Sequence, residues 1–418
     1  MEKKLKILLL SDHALSTSGV GCQSRFLVNG LVDKGCWTVR QFGAAVKHTN
    51  YDTVVVNDDF VIKPIDGFGN REMIIQTLAV EKPDVILLFT DPRFFIWLYE
   101  MEDEIREVCP LAYWHVWDNY PIPSFNFPLY EATDLINCHS HLTYEIVSSE
   151  FPEKTNFIPH SLPDDIFNPM SDEERVSLRN ERIGPERKDH FVLFWVNRNA
   201  RRKRPNDVLW AWSDFLTKAK EKYGDVKATL LMHTDPNDTE GPNLLATVDH
   251  FGIKDHVVFS NQRVDFEEMN VLHNISDACI NLSYAEGFGL STLESMKCGN
   301  PIIAVKTGGL TRQVVDHRDG SENGVALDVE FKTLVGSQGV PFIYEDYATI
   351  DKTSDAILSL YEMPKQELRK LGQKGREYVL SEFSHQGTID RWHETLLELV
   401  NTWKENKPKM WSLDEVIR

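Results

Sequence analysis

The chain has 418 residues, 42% of them hydrophobic and 11% aromatic; this is the composition of a folded soluble protein, too long for one ordinary core, so two domains are expected. Its formal net charge of -19 counts against generic binding to nucleic-acid backbones or anionic membranes, while leaving room for a local basic groove. The six cysteines (Cys22, Cys36, Cys109, Cys138, Cys279 and Cys298) are scattered with no Cys-x-x-Cys spacing, which argues for reduced thiols in a cytoplasmic setting and against a zinc site.

The run Ile7-Leu-Leu-Leu10 is too short for a signal-peptide core or a transmembrane segment and suits a buried first strand, Lys6–Leu10. Ser18-Gly-Val-Gly21 reads as a tight turn opening a helix over Gln23–Val32. Further strands are predicted at Val39–Phe42, Val85–Phe89, Leu111–Val116 and Leu135–Cys138, with helices at Arg71–Val80, Phe94–Val108 and Leu142–Ser149. The segment Phe157–Pro169 holds three prolines and no helical period, so it reads as an interdomain linker. The rhythm restarts with strand Phe191–Val196 and helix Pro205–Tyr223. Strands Ala228–Met232, Val257–Phe259, Ala278–Leu282 and Pro301–Ala304 follow, separated by helices Pro242–Phe251, Phe266–Ile275 and Ser291–Cys298. The end is helical, at Asp355–Glu362, Lys365–Phe383 and Gly387–Asn406. Strands alternating with helices imply a doubly wound parallel sheet in each half. The expected division is 1–160, completed by a C-terminal helix at about 390–418, and 161–389. The stripe Trp392, Leu396, Leu399, Val400 and Trp403 requires that last helix to be buried against the first domain.

Glu286-Gly-Phe-Gly-Leu-Ser-Thr-Leu-Glu294 is the most informative stretch. It joins a strand to a helix through a glycine turn, the arrangement that brings backbone N–H groups and the positive end of a helix to a phosphate. At about 1.5 Å rise per residue, its two carboxylates stand too far apart for the ~5 Å pair of a retaining glycosidase. They suit two hydroxyl-binding anchors on one extended ligand, as in a nucleotide sugar.

In order, these motifs resemble the retaining family 4 glycosyltransferases of the GT-B architecture, two Rossmann-like doubly wound domains facing across a cleft. Glu286 to Glu294 fits the family's E-x7-E element, and Asn300-Pro-Ile-Ile-Ala304 with Gly308-Gly309 fits the strand and turn after it. Arg198 and Lys203 fit its strand-Arg-x4-Lys pattern, Ser18–Gly21 its first glycine turn, and Ile158-Pro-His-Ser with Phe167-Asn-Pro169 its linker. Two departures stand out: Asn197 occupies a usual glycine position, and His233-Thr-Asp-Pro-Asn replaces a glycine-rich turn.

The resemblance implies a metal-independent hexosyl- or pentosyltransferase that needs no cofactor and uses a nucleoside-diphosphate sugar as substrate. Arg198 and Lys203 would stabilise the leaving diphosphate, the alternative being a solvated charge run with Arg201, Arg202 and Arg204. Glu286 would accept from sugar hydroxyls and Glu294 from the ribose, unless Glu294 is a helix-surface residue. Backbone near Phe288, Gly289 and Leu290 would meet sugar or phosphate. Gly19 and Gly21 would admit the diphosphate or merely tighten a loop. His115 would lie near the transferred sugar or be a core histidine. Asp91 and Asp118 would orient the acceptor or cap helices, and Trp117 would stack on a ligand or pack the core. Asp58-Asp59, Asp164-Asp165 and the acidic run Asp235–Gly241 read as solvated turns, so no metal site is expected. The acceptor stays open: a saccharide, a lipid-linked saccharide, a small molecule, or a hydroxymethylated DNA base as in viral-type enzymes of this architecture. A non-catalytic nucleotide-sugar-binding module is the remaining alternative.

Overall fold

The computed structural model describes residues 3–406; the part of the expected C-terminal segment from 407 to 418 lies outside the described residues. The chain divides into two compact units. The first takes residues up to Trp117, Ile122–His160 and the helical segment from Gln386 onward; the second takes Asp118–Pro121 and Ser161–His385.

The first unit is built on eight strands: β1 (Leu5–Asp12), β2 (Trp37–Ala44), β3 (Val54–Asn57), β4 (Phe60–Pro64), β5 (Val85–Phe89), β6 (Leu111–His115), β7 (Leu135–Cys138) and β8 (Thr155–Phe157). Their order is β3-β4-β2-β1-β5-β6-β7-β8, and every pairing is parallel except β3 with β4. Every residue of β5 and β6 is buried, as continuous apolar runs covered on both faces must be. Asp58-Asp59 forms the turn between β3 and β4, with Lys4 Nζ 2.6 Å from Asp59 Oδ2. The helix Phe94–Val108 expected from the sequence is instead three short pieces, Pro92–Phe95, Ile96–Tyr99 and Glu102–Arg106. Met101, at φ -127° and ψ 26°, leaves the helical region, and the break buries Leu98, Tyr99, Met101 and Ile105 together.

The last helix, His385–Asn406, packs Ile389, Trp392, Leu396 and Val400 into the same core as Leu9, Trp37 and Trp114. Trp392 meets Trp114 edge-on at 5.0 Å between ring centres. A Cβ on Gly30 would lie 2.6 Å from Ile389 Cδ1, so the helix Gly19–Asp33 can approach only through a glycine.

The second unit holds a six-stranded parallel sheet of β9 (Phe191–Val196), β10 (Ala228–His233), β11 (Val257–Ser260), β12 (Ala278–Asn281), β13 (Ile302–Val305) and β14 (Gly324–Leu327). The order is β11-β10-β9-β12-β13-β14. The winding direction therefore reverses between β9 and β12, and open α/β sheets bind ligands beyond the strand ends at such a point. An antiparallel pair unforeseen in the sequence, β15 (Phe331–Val335) and β16 (Ile343–Tyr347), stands outside this sheet. It holds Asp118–Pro121 by backbone and side chain: Tyr344 N–H donates to Tyr120 O at 2.7 Å, and Asn119 Nδ2 donates to Asp346 Oδ2 at 2.6 Å.

Candidate functional site

The reversal between β9 and β12 makes the loops after those strands neighbours, and these loops carry Lys203 and Glu286. After β9 the chain forms a short turn, Arg201–Lys203, before the helix Pro205–Tyr223. Lys203 Nζ donates to Glu286 Oε2 in an ion pair of which each residue is 8% exposed. Ser283 Oγ donates to the same carboxylate oxygen at 3.0 Å, and Arg202 Nη1 lies 3.8 Å from Oε1. Burial pushes the Glu286 carboxyl up, but Lys203 and Arg202 outweigh it and hold the pKa at about 2. The carboxyl therefore stands ionised, while burial lowers the Lys203 ammonium from its ordinary value against the pull of Glu286. Asp118 adds a further negative charge acting on Lys203 and Arg202.

Arg198 pairs with a different carboxylate. Its side chain is 64% exposed and clasped by Asp238, at 2.7 Å from Nε and 3.2 Å from Nη2. The structure thus gives the two cations different partners, Asp238 for Arg198 and Glu286 for Lys203. The reason lies in the loop that replaces the glycine-rich turn: Asp238 captures the guanidinium, and a Cβ on Gly241 would lie 2.1 Å from Asn199 Oδ1, so this loop is packed against the stretch after β9. Arg202, grouped in the sequence with surface charges, takes the place beside Glu286.

The turn after Glu286 is shaped by glycines. Gly289, at φ 92°, is the N-cap of helix Leu290–Lys297, which no side chain caps. Gln313 Nε2 donates to Phe288 O at 2.7 Å and to Gly289 O at 3.1 Å. Phe288 itself is buried against Phe383, while Leu290 is half-buried at the helix start. Gly308-Gly309 rests directly on this turn: Gly309 N–H donates to Glu286 O at 2.9 Å, and a Cβ on Gly308 would lie 2.0 Å from that oxygen. Glu294, just over one turn into the helix, faces His273, whose Nε2 is 3.1 Å from its carboxylate. His273 is fully buried between Phe167 and Phe194, and no sequence motif marked it.

The first-unit candidates separate into three kinds. His115 is fully buried, with Nε2 2.6 Å from the Tyr130 hydroxyl, and burial holds its pKa well below the ordinary imidazole value. It belongs to the core rather than to a ligand, as does Trp117, which is 5% exposed and packs on Phe125. Asp91 caps its own turn through Arg93 N–H at 2.9 Å and pairs with the Arg93 guanidinium. Gly19 is exposed at the first position of its helix. Gly21 is buried where a Cβ would lie 2.6 Å from His13 O; the Ser18 hydroxyl accepts from Gly21 N–H and donates to Asp12 Oδ2 at 2.7 Å. Packing alone accounts for Gly21.

Among the described residues, no group of three or more His, Cys, Asp or Glu side chains could hold a metal ion. Among the described residues, no helix is long and apolar enough to cross a membrane.

Residues 178–378 match the family profile described as glycosyl transferases group 1. An N-acetyl-alpha-D-glucosaminyl L-malate synthase of Bacillus anthracis is 25% identical over 217 residues, 52% of this chain and 48% of its own length. A D-inositol 3-phosphate glycosyltransferase of Corynebacterium jeikeium is 29% identical over 228 residues, 54% of this chain and 49% of its own. The chain thus spans about half the length of these curated relatives. Sucrose-phosphate synthase from Thermosynechococcus elongatus shares the fold with a TM-score of 0.71 at 18% identity, over 96% of this chain and 100% of that one. HepE of Anabaena, solved in complex with UDP-glucose, does so with a TM-score of 0.67 at 15% identity, over 94% and 100%.

Proposed function

We propose that this chain, whose residues 178–378 match the group 1 glycosyl transferases and which has the GT-B architecture, transfers a sugar from a nucleoside diphosphate to an acceptor hydroxyl with retention of configuration. The observation that carries this reading is the buried Lys203–Glu286 pair with Arg202 beside it, at the point where the sheet reverses and next to an uncapped helix N-terminus. Cleaving the sugar–phosphate bond leaves negative charge on the diphosphate. Lys203, Arg202 and the helix end supply fixed positive charge there, strongest when water is excluded.

An arriving diphosphate competes with Glu286 for Lys203. The carboxylate, held ionised, is then free to accept from sugar hydroxyls. Glu294, fixed by His273, takes the ribose hydroxyls. The acceptor oxygen attacks on the face that the diphosphate leaves, and its proton passes to the leaving phosphate oxygen. The anomeric carbon exchanges one C–O bond for another on the same side, without a protein nucleophile or a metal. The scattered cysteines, none of them in a disulfide among the described residues, suit a reducing compartment, in keeping with work in the cytoplasm.

The test is a thermal-shift screen of nucleoside-diphosphate sugars, followed by transfer assays with the donor that stabilises the chain. The expected result is release of nucleoside diphosphate dependent on both donor and acceptor. Binding without transfer or donor hydrolysis would make the chain a binding module, and no binding by any sugar nucleotide would remove the reading altogether.

A further inference from the structure

We propose that His13 and His48, in the first unit, form a binding site for a neutral polyhydroxylated molecule. Its role as the acceptor, a saccharide or polyol, rests on the transfer reading above; its binding does not. The two residues follow the carboxyl ends of neighbouring parallel strands, His13 directly after β1 and His48 shortly after β2. The winding of this sheet reverses between β1 and β5, and ligands of open α/β sheets gather beyond the strand ends at such a point.

The surrounding chain is shaped to seat both rings. A Cβ on Gly43 would lie 2.7 Å from His13 Cδ2, so the His13 ring rests where β2 presents a glycine. Ala45, at φ 61°, turns the chain through the left-handed region just after β2. His48 then folds back on to the backbone of Gly43 and Ile65. The two imidazole centres are 5.7 Å apart, with the rings inclined at 46°. Tyr51 stands edge-on to His48 at 5.5 Å, and its hydroxyl donates to Asp66 Oδ1 at 2.7 Å.

Hydrogen bonds fix the tautomer of each ring. Leu15 N–H donates to His13 Nδ1 at 3.2 Å, so the proton of the neutral ring sits on Nε2. His48 Nε2 faces two carbonyl oxygens, Gly43 O at 3.1 Å and Ile65 O at 3.2 Å, so it carries the proton and leaves Nδ1 a lone pair. His13 Nε2 and His48 Nδ1 have no hydrogen-bond partner among the described residues, and neither atom is sealed from solvent. Burial, then the neighbouring His48, lowers the His13 pKa from its ordinary value and favours the neutral ring.

One donor therefore stands beside one acceptor. A hydroxyl serves both, singly or as a pair on adjacent carbons, whereas a phosphate or carboxylate only accepts and an ammonium only donates. A nucleobase edge also alternates donor and acceptor, but it is planar, and rings inclined at 46° do not both meet it in its own plane. The staggered hydroxyls of a sugar ring or cyclitol do. Tyr51, 44% exposed, offers its ring to the C–H face of such a ligand.

The test reads the two rings directly. Histidine is isotopically labelled, and long-range proton–nitrogen NMR at neutral pH reports the tautomers. His13→Asn and His48→Gln assign the signals. Asn keeps an acceptor for Leu15 N–H, and Gln keeps a donor for the two carbonyls, so each variant removes only the ligand-facing nitrogen and should melt within a few degrees of the parent. Methyl α-D-glucopyranoside, methyl α-D-mannopyranoside and myo-inositol are titrated, with the fully O-methylated glucoside and an N-methylated cytosine base as controls. We expect both rings to be Nε2–H tautomers, and at least one polyol to shift both ring signals saturably while neither control does. Each variant should weaken that binding about fivefold or more, the worth of one neutral hydrogen bond. The titration needs no sugar donor, so a chain that binds polyol yet transfers no sugar would keep this site and lose the transfer reading. The proposal is overturned by an Nδ1–H tautomer at His13, by no shift with any of the three polyols, by equal shifts with either control, or by undiminished binding in either variant.

Discussion

A buried lysine gripping a buried glutamate has consequences for both stability and chemistry. Removing the cation in Lys203→Ala leaves Glu286 ionised and poorly compensated, at a cost of about 3–5 kcal/mol. The expected kinetic loss is separate: kcat/KM falls about a hundredfold or more, the worth of one transition-state charge contact. Joint Lys203→Met and Glu286→Gln substitution should restore most of the stability in denaturant unfolding without restoring transfer. Arg198→Ala should lose less than about tenfold, because its exposed guanidinium is already committed to Asp238. Equal losses for Arg198 and Lys203 would mean that Arg198 leaves Asp238 when donor binds.

The carboxyl of Glu286 also sets a pH dependence. Its folded pKa, about 2, lies below the ordinary glutamate value of 4.5. The stability it contributes is therefore fully present above about pH 4.5 and lost as pH falls towards 2. Chemical unfolding across that window should show a steeper loss in the unaltered chain than in Glu286→Gln. Glu286→Gln should lower kcat, whereas Glu294→Ala should mainly raise the donor KM, since ribose lies away from the reacting bond. Glu294→Ala should also cost about 1–3 kcal/mol, because it strips a partner from the buried Nε2 of His273.

At the scale of elements, the turn from β12 into its helix is held by glycines and by one glutamine. Gly308 has φ 50°, and any Cβ there meets Glu286 O and Asp118 O. Gly308→Ala should therefore displace the Glu286 turn. We expect a loss of at least about 2 kcal/mol in thermal or denaturant unfolding, with impaired transfer, although alanine removes no polar group. Gln313→Leu is the complementary change: it strips the donors from Phe288 O and Gly289 O while keeping bulk, and donor affinity measured by calorimetry should fall. Arg204 shows the opposite use of the left-handed region. A non-glycine residue there costs about 1–3 kcal/mol, an expense the loop after β9 carries in every molecule.

At the scale of the molecule, the first unit is closed by the far end of the chain. Trp392 is fully buried against Trp114, and Trp37 Nε1 donates to His393 Nδ1 at 2.9 Å. Trp392→Ala should cost about 3–5 kcal/mol. Hydrogen exchange should localise the loosening to β1, β2 and β6 and leave β9 to β14 protected. Uniform loosening of both sheets would show that the two units unfold as one.

The sequence by itself determined the two doubly wound sheets, the strand–turn–helix around Glu286 and the burial of Trp392, Leu396 and Val400. Each rests on local periodicity or on a glycine turn whose neighbours lie within a few residues. Tertiary structure alone decided which charges meet. Spacing alone does not separate Arg198 and Lys203 from Arg201, Arg202 and Arg204 in the basic run. Only the adjacency of β9 and β12 gives Glu286 to Lys203 and Arg202, while the loop after β10 gives Asp238 to Arg198. His115 shows the same limit: its place at a strand end was legible, but the Tyr130 hydroxyl that claims it comes from a segment 15 residues away and through the packed core. Propensity is a property of short windows, whereas the partner of a charge is a property of which loops the sheet brings side by side.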